Sequence, residues 1–298
     1  MTAPTLNGRL ICASASTYGI VNGALGPDEP APYFAGTGYL DAPGVFVGGD
    51  KDIDAVLVGT NADGVVVAFR GTLPPQLPIP LQIALDWFSD FEFAPVVKPD
   101  MPGPVHRGFY DALQFLWAGV RDEVHRRLDA LGDGAKLFIT GHSKGGGIAP
   151  LAAWRFHKAE GITPKVVTFA GAHCGSSQFA AAYNAEIDQD RYEFGNDIVP
   201  WLPLSEQILE NIPQSLKLLP FANPFAKLQA FDYEPTGTLF YIQRDLSIIS
   251  GNPDLKKQRL DSIAKAFLHV EQIIRDHSLQ CGLESGYMQA VCPAGVCM

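Results

Sequence analysis

The stretch Leu137-Phe138-Ile139-Thr140-Gly141-His142-Ser143-Lys144-Gly145-Gly146-Gly147 decides how the rest of the chain is read. Leu137–Thr140 is a short apolar run of strand-like composition, and it stops at Gly141. Ser143 follows, then Lys144 and three glycines, and Ile148–His157 has the composition of a helix. Gly-x-Ser-x-Gly between a strand and a helix is the pattern of a sharp turn that raises a serine hydroxyl above the end of a sheet. Such a turn closes only between neighbours without a Cβ, which Gly141 and Gly145 supply. The N–H groups opening the next helix would then face any negative charge developing beside the serine. Read as a plain Gly-rich link, the stretch leaves the run of three glycines unexplained.

Outward from this elbow, apolar strand-like and helical segments alternate. Ala55–Val58 and Gly64–Phe69 read as strands around the turn Asn61-Ala62-Asp63-Gly64. Gly108–Leu131 is an amphipathic helix with Phe109, Leu113, Phe115, Leu116, Val120, Val124 and Leu128 near helical spacing. Lys136–Thr140, Lys165–Phe169, Arg191–Phe194 and Thr238–Arg244 are expected strands. Leu10–Val21, Gln178–Ala185 and Gln258–Asp276 are expected helices, the last with Leu260, Ile263, Phe267, Val270 and Ile274 on one face. This alternation predicts an α/β fold whose mostly parallel sheet is covered on both faces. No linker composition appears, so residues 1–298 are expected to form one domain. Two apolar segments stand outside the pattern. Residues 73–85 carry Pro74, Pro75, Pro78 and Pro80, too many for a core strand. Residues 204–230 are helix-prone but interrupted at Pro213, Pro220 and Pro224.

Composition narrows the function classes. The 298 residues are 47% hydrophobic, enough for a full core without metals or disulfides. A formal net charge of -10 argues against nucleic acid and against attraction to anionic membrane surfaces, though not against neutral apolar substrates. The five cysteines show no metal-ligand spacing. Free thiols are expected, while Cys292 and Cys297 lie close enough to bridge a C-terminal loop. No metal and no organic cofactor is expected. The start lacks a charged region leading into an apolar one, and no run of about 18 apolar residues exists. The chain is therefore expected to lack a membrane span, and to be cytoplasmic or secreted after processing.

A serine hydroxyl needs a base to take its proton, and the base needs an acid to orient it. In α/β-hydrolases these follow in the order Ser, Asp or Glu, His. Asp197 is the best acid: it lies in Phe194-Gly195-Asn196-Asp197-Ile198-Val199-Pro200, just past an expected strand. Asp232, Asp245 and Asp254 are weaker candidates, and the bland reading of Asp197 is a turn-forming Asn-Asp pair. His277 is the expected base, on the loop where the helix 258–276 runs out. His269 reads as a solvated residue of that helix. His142, inside the elbow, is expected to support it by packing beside the turn, and His106, His125, His157 and His173 to be structural. An oxyanion needs two N–H donors. They are expected from Lys144, the residue after the serine, and from Thr72 in Phe69-Arg70-Gly71-Thr72. Asp90 would orient the Thr72 hydroxyl.

Taken together, several patches resemble the class 3 lipases, the fungal lipase-like branch of the α/β-hydrolases. They are Val66-Val67-Ala68-Phe69-Arg70-Gly71-Thr72, Asp86-Trp87-Phe88-Ser89-Asp90, Val105-His106-Arg107-Gly108-Phe109 and Gly141-His142-Ser143-Lys144-Gly145-Gly146. Asn196-Asp197-Ile198-Val199-Pro200-Trp201-Leu202-Pro203, Gly237-Thr238-Leu239-Phe240-Tyr241 and Asp276-His277-Ser278 complete them, in the family's order. The resemblance implies a Ser143–Asp197–His277 triad, the set already reached, with Thr72 and Lys144 as oxyanion donors. It also implies a lid after Thr72. The apolar segment 73–85, within a lid candidate spanning 73–90, suits that role because exposed apolar surface is costly in water.

The sequence departs from the family's pattern in four places. Lys144 stands where an aliphatic residue is common, and a lysine at a helix N-terminus opposes the helix dipole. It would either touch a leaving group or polar acyl substituent, or merely be solvated. Ala170-Gly171-Ala172-His173-Cys174 replaces a Gly-x-Pro pattern, residues 204–230 look like a helical insert, and the tail 281–298 has no counterpart. The expected function is a carboxylic ester hydrolase of lipase type, cleaving acylglycerols through an acyl-enzyme. Its partners would be lipid or other small ester substrates at a lipid–water interface, and it would be a monomer. The alternatives are an esterase of other specificity (phospholipase A1 or feruloyl esterase) and a non-catalytic lipid-binding protein of the same fold.

Overall fold

Eight strands form the central sheet: β1 (Gly44–Gly48), β2 (Asp54–Asn61), β3 (Gly64–Phe69), β4 (Leu137–His142), β5 (Lys165–Phe169), β6 (Gln189–Phe194), β7 (Thr238–Ile242) and β8 (Ile248–Ser250). The computed structural model describes residues 5–26, 31–73, 94–203, 232–251, 255, 259, 270–279 and 286–292. The spatial order of the strands is their chain order. β3 to β7 are parallel, and the edges β1, β2 and β8 pair antiparallel.

That order settles where the helices lie. Each parallel crossover steps to the neighbouring strand, and right-handed crossovers in one direction put their helices on one face. Three helices do so: α3 (Arg107–Leu131), α4 (Lys144–Ala159) and α5 (Ser177–Glu186). Val65, Val67, Phe69, Ile139 and Val166 meet Phe109, Leu113, Leu116, Val120, Leu151 and Phe156 there. The residues between them, Val66, Ala68, Phe138 and Val167, face the other way, as the two-residue period of a strand requires. They pack under α1 (Leu6–Ser16), which α2 (Ala31–Thr37) flanks, and α7 (Gly286–Val291), through Leu10, Ile11, Tyr287 and Met288. One face is thus covered by crossover helices and the other by segments from the two ends of the sequence. Strands buried on both faces explain why β3 and β4 read as continuous apolar runs.

Each apolar side chain that α3 buries contributes about 1.5–3 kcal/mol. Phe115, expected on that face, is 64% exposed. It lies about 100° around the helix from its buried neighbour Leu116, so a single stripe does not hold both.

The other differences from expectation are at element ends. The first helix covers Leu6–Ser16 rather than Leu10–Val21, and Ile20–Val21 pairs instead with Ala24–Leu25. β-Branched Thr17, Ile20 and Val21 favour that exit from helix. α4 begins at Lys144, not Ile148, because its glycine-rich first turn has poor intrinsic propensity and is held by packing. In the described part of the C-terminal helix, α6 (Val270–His277), His277 is the last helical residue rather than a loop residue. Cys12, Cys174 and Cys292 are free thiols, and Cys292 Sγ lies 3.3 Å from Cys12 Sγ. Cys281, Cys297, His269, Asp254 and the insert candidate 204–230 lie outside the described residues, as does the lid candidate 73–90 apart from Leu73.

Candidate active site

Ser143 stands between β4 and α4 with φ 59° and ψ −127°, a left-handed conformation that costs a non-glycine residue energy. Its N–H donates to Phe169 O at 3.1 Å, tying the elbow to the end of β5. The flanking glycines are required by contact. A Cβ on Gly145 would lie 2.1 Å from Phe69 O, and one on Gly141 would lie 2.3 Å from the Gly145 carbonyl. The glycines after the serine therefore let α4 begin directly against the β3 and β4 ends.

Asp197 enters from the loop after β6. Its carboxylate accepts the Val199 N–H at 3.0 Å, so the residue does form the turn that its sequence suggested. The same carboxylate accepts from His277 Nδ1–H at 3.0 and 3.1 Å and from the Tyr287 hydroxyl at 2.7 Å. Three donors satisfy a group that is only 1% exposed. With Nδ1 protonated, His277 Nε2 is the acceptor, and it lies 2.9 Å from Ser143 Oγ. Burial, reinforced by the charge of Asp197, raises the pKa of Tyr287 well above its ordinary value, so its hydroxyl remains a donor. The same oxygen accepts the Phe194 N–H at 3.0 Å.

Asp276 secures His277 from the adjacent position. Its carboxylate takes both terminal nitrogens of Arg244 at 2.5 and 2.6 Å and the Asn196 N–H at 2.7 Å. It ties the last turn of α6 to the loop carrying Asp197.

His142 is more than packing beside the turn. Its Nε2 lies 2.8 Å from the His277 carbonyl, and its Nδ1 lies 2.6 Å from the Tyr18 hydroxyl. Burial, with a smaller repulsion from His277, holds its pKa well below the ordinary imidazole range. The ring is therefore neutral. A carbonyl only accepts, so Nε2 carries the proton and Nδ1 accepts from Tyr18. His142 thus links Tyr18, in the turn after α1, to the main chain of His277.

Thr72 directly follows Gly71, where a Cβ would come within 2.9 Å of Ser143 Cβ. Thr72 is half-buried beside the elbow, and Lys144 is the first residue of α4. Asp90 lies outside the described residues. The Lys144 side chain takes neither of its expected roles: Nζ bonds Asp54 Oδ1 at 2.5 Å, and the side chain is 16% exposed. The weaker acid candidates are elsewhere, Asp232 on Ser177 and Asp245 on Ser247. His125 Nε2 lies 3.0 Å from Glu160 Oε2, and His157 Nε2 lies 2.8 Å from Glu186 Oε2. His106 caps α3 by accepting the Phe109 N–H. Sequence reasoning missed Tyr18, Asp54 and Tyr287, and gave Asp276 no role of its own. No motif marks them, since each acts across a long separation in the chain. Among the described residues no cluster of His, Cys, Asp or Glu is arranged to hold a metal ion, and no helix is long and apolar enough to cross a membrane.

The fold is that of the α/β-hydrolases. Residues 66–207 match the class 3 lipase family. Secreted mono- and diacylglycerol lipase 1 of Fusarium solani is 28% identical over 163 residues, covering 54% of this chain and 46% of the relative. Secreted mono- and diacylglycerol lipase A of Penicillium cyclopium is 27% identical over 153 residues, 50% of this chain and 46% of the relative. The chain thus spans about half the length of these curated relatives. The solved structure of the Rhizomucor miehei triacylglyceride lipase has the same fold, with a TM-score of 0.61 at 21% identity over 82% of each chain.

Proposed function

We propose that this protein is a serine ester hydrolase of lipase type that cleaves acylglycerols, with Ser143, His277 and Asp197 as its catalytic residues. The observation that carries the reading is the continuous path from Ser143 Oγ through both nitrogens of His277 to Asp197, in bonds of 2.9 to 3.1 Å. Ser143 attacks the ester carbonyl while His277 Nε2 takes its proton, and Asp197 stabilises the imidazolium. The Lys144 and Thr72 N–H groups receive the oxyanion. The alkoxide leaves with the proton from His277. A water molecule, deprotonated by His277, then releases the acid. Lipid esters are favoured as substrates by the match of residues 66–207 to the class 3 lipases and by the apolar sequence of residues 73–85. The same reading takes residues 1–298 as a single, monomeric domain, with 73–90 as a lid candidate and 204–230 as a helical insert.

The test is hydrolysis of p-nitrophenyl esters from acetate to palmitate, by wild type and Ser143→Ala, below and above substrate saturation. Cleavage by wild type with a loss of about 10⁴-fold or more in the variant supports the reading. Equal rates would overturn it.

A further inference from the structure

We propose that Asp54 is a positioning residue for this reaction: its ion pair with Lys144 holds the Lys144 N–H in line with the oxyanion. The inference rests on the reading of Ser143 as nucleophile. The two expected donors belong to different segments. Lys144 opens α4, and the first N–H groups of a helix have no partner within it. Thr72 follows β3 through Gly71. Asp54 is the first residue of β2, whose partner strand is β3: Val56 pairs with Phe69, and the Arg70 N–H donates to Ala55 O at 2.9 Å. One step further, that antiparallel register sets Asp54 opposite Gly71. The Asp54–Lys144 bond therefore runs from the first turn of α4 to the strand end beside the other donor.

The arrangement also explains why a lysine is tolerated here. A positive charge in a first turn opposes the helix dipole. Burial removes the water that would otherwise solvate it. Asp54, 5% exposed, supplies the counter-charge at 2.5 Å. In the family's common pattern an aliphatic side chain would fix this residue by packing; here a short charge-assisted bond does so. With Nζ engaged by Asp54, the side chain is occupied in holding its own backbone rather than reaching for the leaving group. An oxyanion donor acts mainly in the transition state, so losing its alignment lowers kcat and spares KM.

The experiment compares Asp54→Asn, the double variant Asp54→Ala/Lys144→Ala, Ser143→Ala and wild type. It uses a p-nitrophenyl ester below its solubility limit and an alkylboronic acid, whose tetrahedral adduct on Ser143 reads the same donors. Asp54→Asn should lose roughly 10- to 100-fold in kcat, with KM within about two-fold and boronate affinity falling in parallel. The double variant keeps the main-chain N–H and removes both charges of the pair. It should show the same loss, and it carries the test if the single variant does not fold. Wild-type kcat and boronate affinity in either variant, or a rise in KM at constant kcat, would overturn the inference. Full activity in Ser143→Ala would instead overturn the catalytic reading and this inference with it. An inactive Ser143→Ala beside a fully active Asp54→Asn would overturn this inference alone.

Discussion

Around Ser143 the chain is held chiefly by main-chain contact, whereas around Asp197 and His277 it is held chiefly by side-chain bonds. On the serine side, Gly145 rests on Phe69 O, Gly71 rests on His142 O, and the Ser143 N–H bonds Phe169 O. These contacts bring main chain against main chain, so the elbow follows the sheet beneath it, and the Tyr18–His142 and Lys144–Asp54 bonds add to them. On the acid–base side, Asp197 and His277 come from strand and helix ends 80 residues apart. Asp276, Arg244 and Tyr287 bridge them. The first arrangement tolerates no added atom, while the second can be weakened one bond at a time.

The largest effect should come from Gly145→Ala. A methyl group 2.1 Å from a carbonyl oxygen requires the strand or the helix to move. We expect about 3 kcal/mol of lost stability in urea unfolding and activity as low as that of Ser143→Ala. A folded variant melting within about 2 °C of wild type and keeping its rate would show that contact does not hold the elbow. On the other side, Asp276→Asn keeps the fold but loses the charge that grips Arg244. We expect stability lower by about 1–3 kcal/mol and kcat lower by about tenfold, as the end of α6 that carries His277 loosens from Asn196. Unchanged kcat would mean that α6 places His277 without this bond.

The smallest effect is one of pH, and it sharpens the contrast. His142 and His106 are buried and bind a proton more weakly in the folded chain, burial being the main cause for both. As pH falls through about 6.5, the unfolded chain takes up these protons first. Their contribution is therefore intact above that value. It is lost as pH falls toward the folded values, about 3 for His106, by up to about 1.4 kcal/mol per pH unit for each histidine. His142→Gln should unfold with a shallower loss of stability between pH 7 and pH 5 than wild type. Parallel slopes would remove His142 from the account.

The same contrast explains what was legible in the sequence. Ser143 announces itself because main-chain contact demands glycines, and glycines show in a sequence. Asp197 and His277, which the structure brings beside Ser143, were chosen by chain order and by strand and helix ends, which are local features. Tyr287, Tyr18 and Asp54 were not, because a hydroxyl or carboxylate that acts across 90 or more residues leaves no local pattern. Lys144 was noticed as out of place, yet its partner could be found only once β2 was seen beside β3. The mostly parallel sheet was read correctly from the alternation of strands with helices. The packing of α1 and α7 on one face was not, since it depends on strand order rather than on periodicity.

The central claim, that Ser143 is the nucleophile and His277 its base, is tested most directly by titration with an alkyl p-nitrophenyl phosphonate. The account predicts release of one equivalent of p-nitrophenolate per chain, with the phosphonyl mass on the peptide containing Ser143, and release slowed by orders of magnitude in His277→Gln. Release with the added mass on another residue, or at an equal rate in His277→Gln, would contradict it.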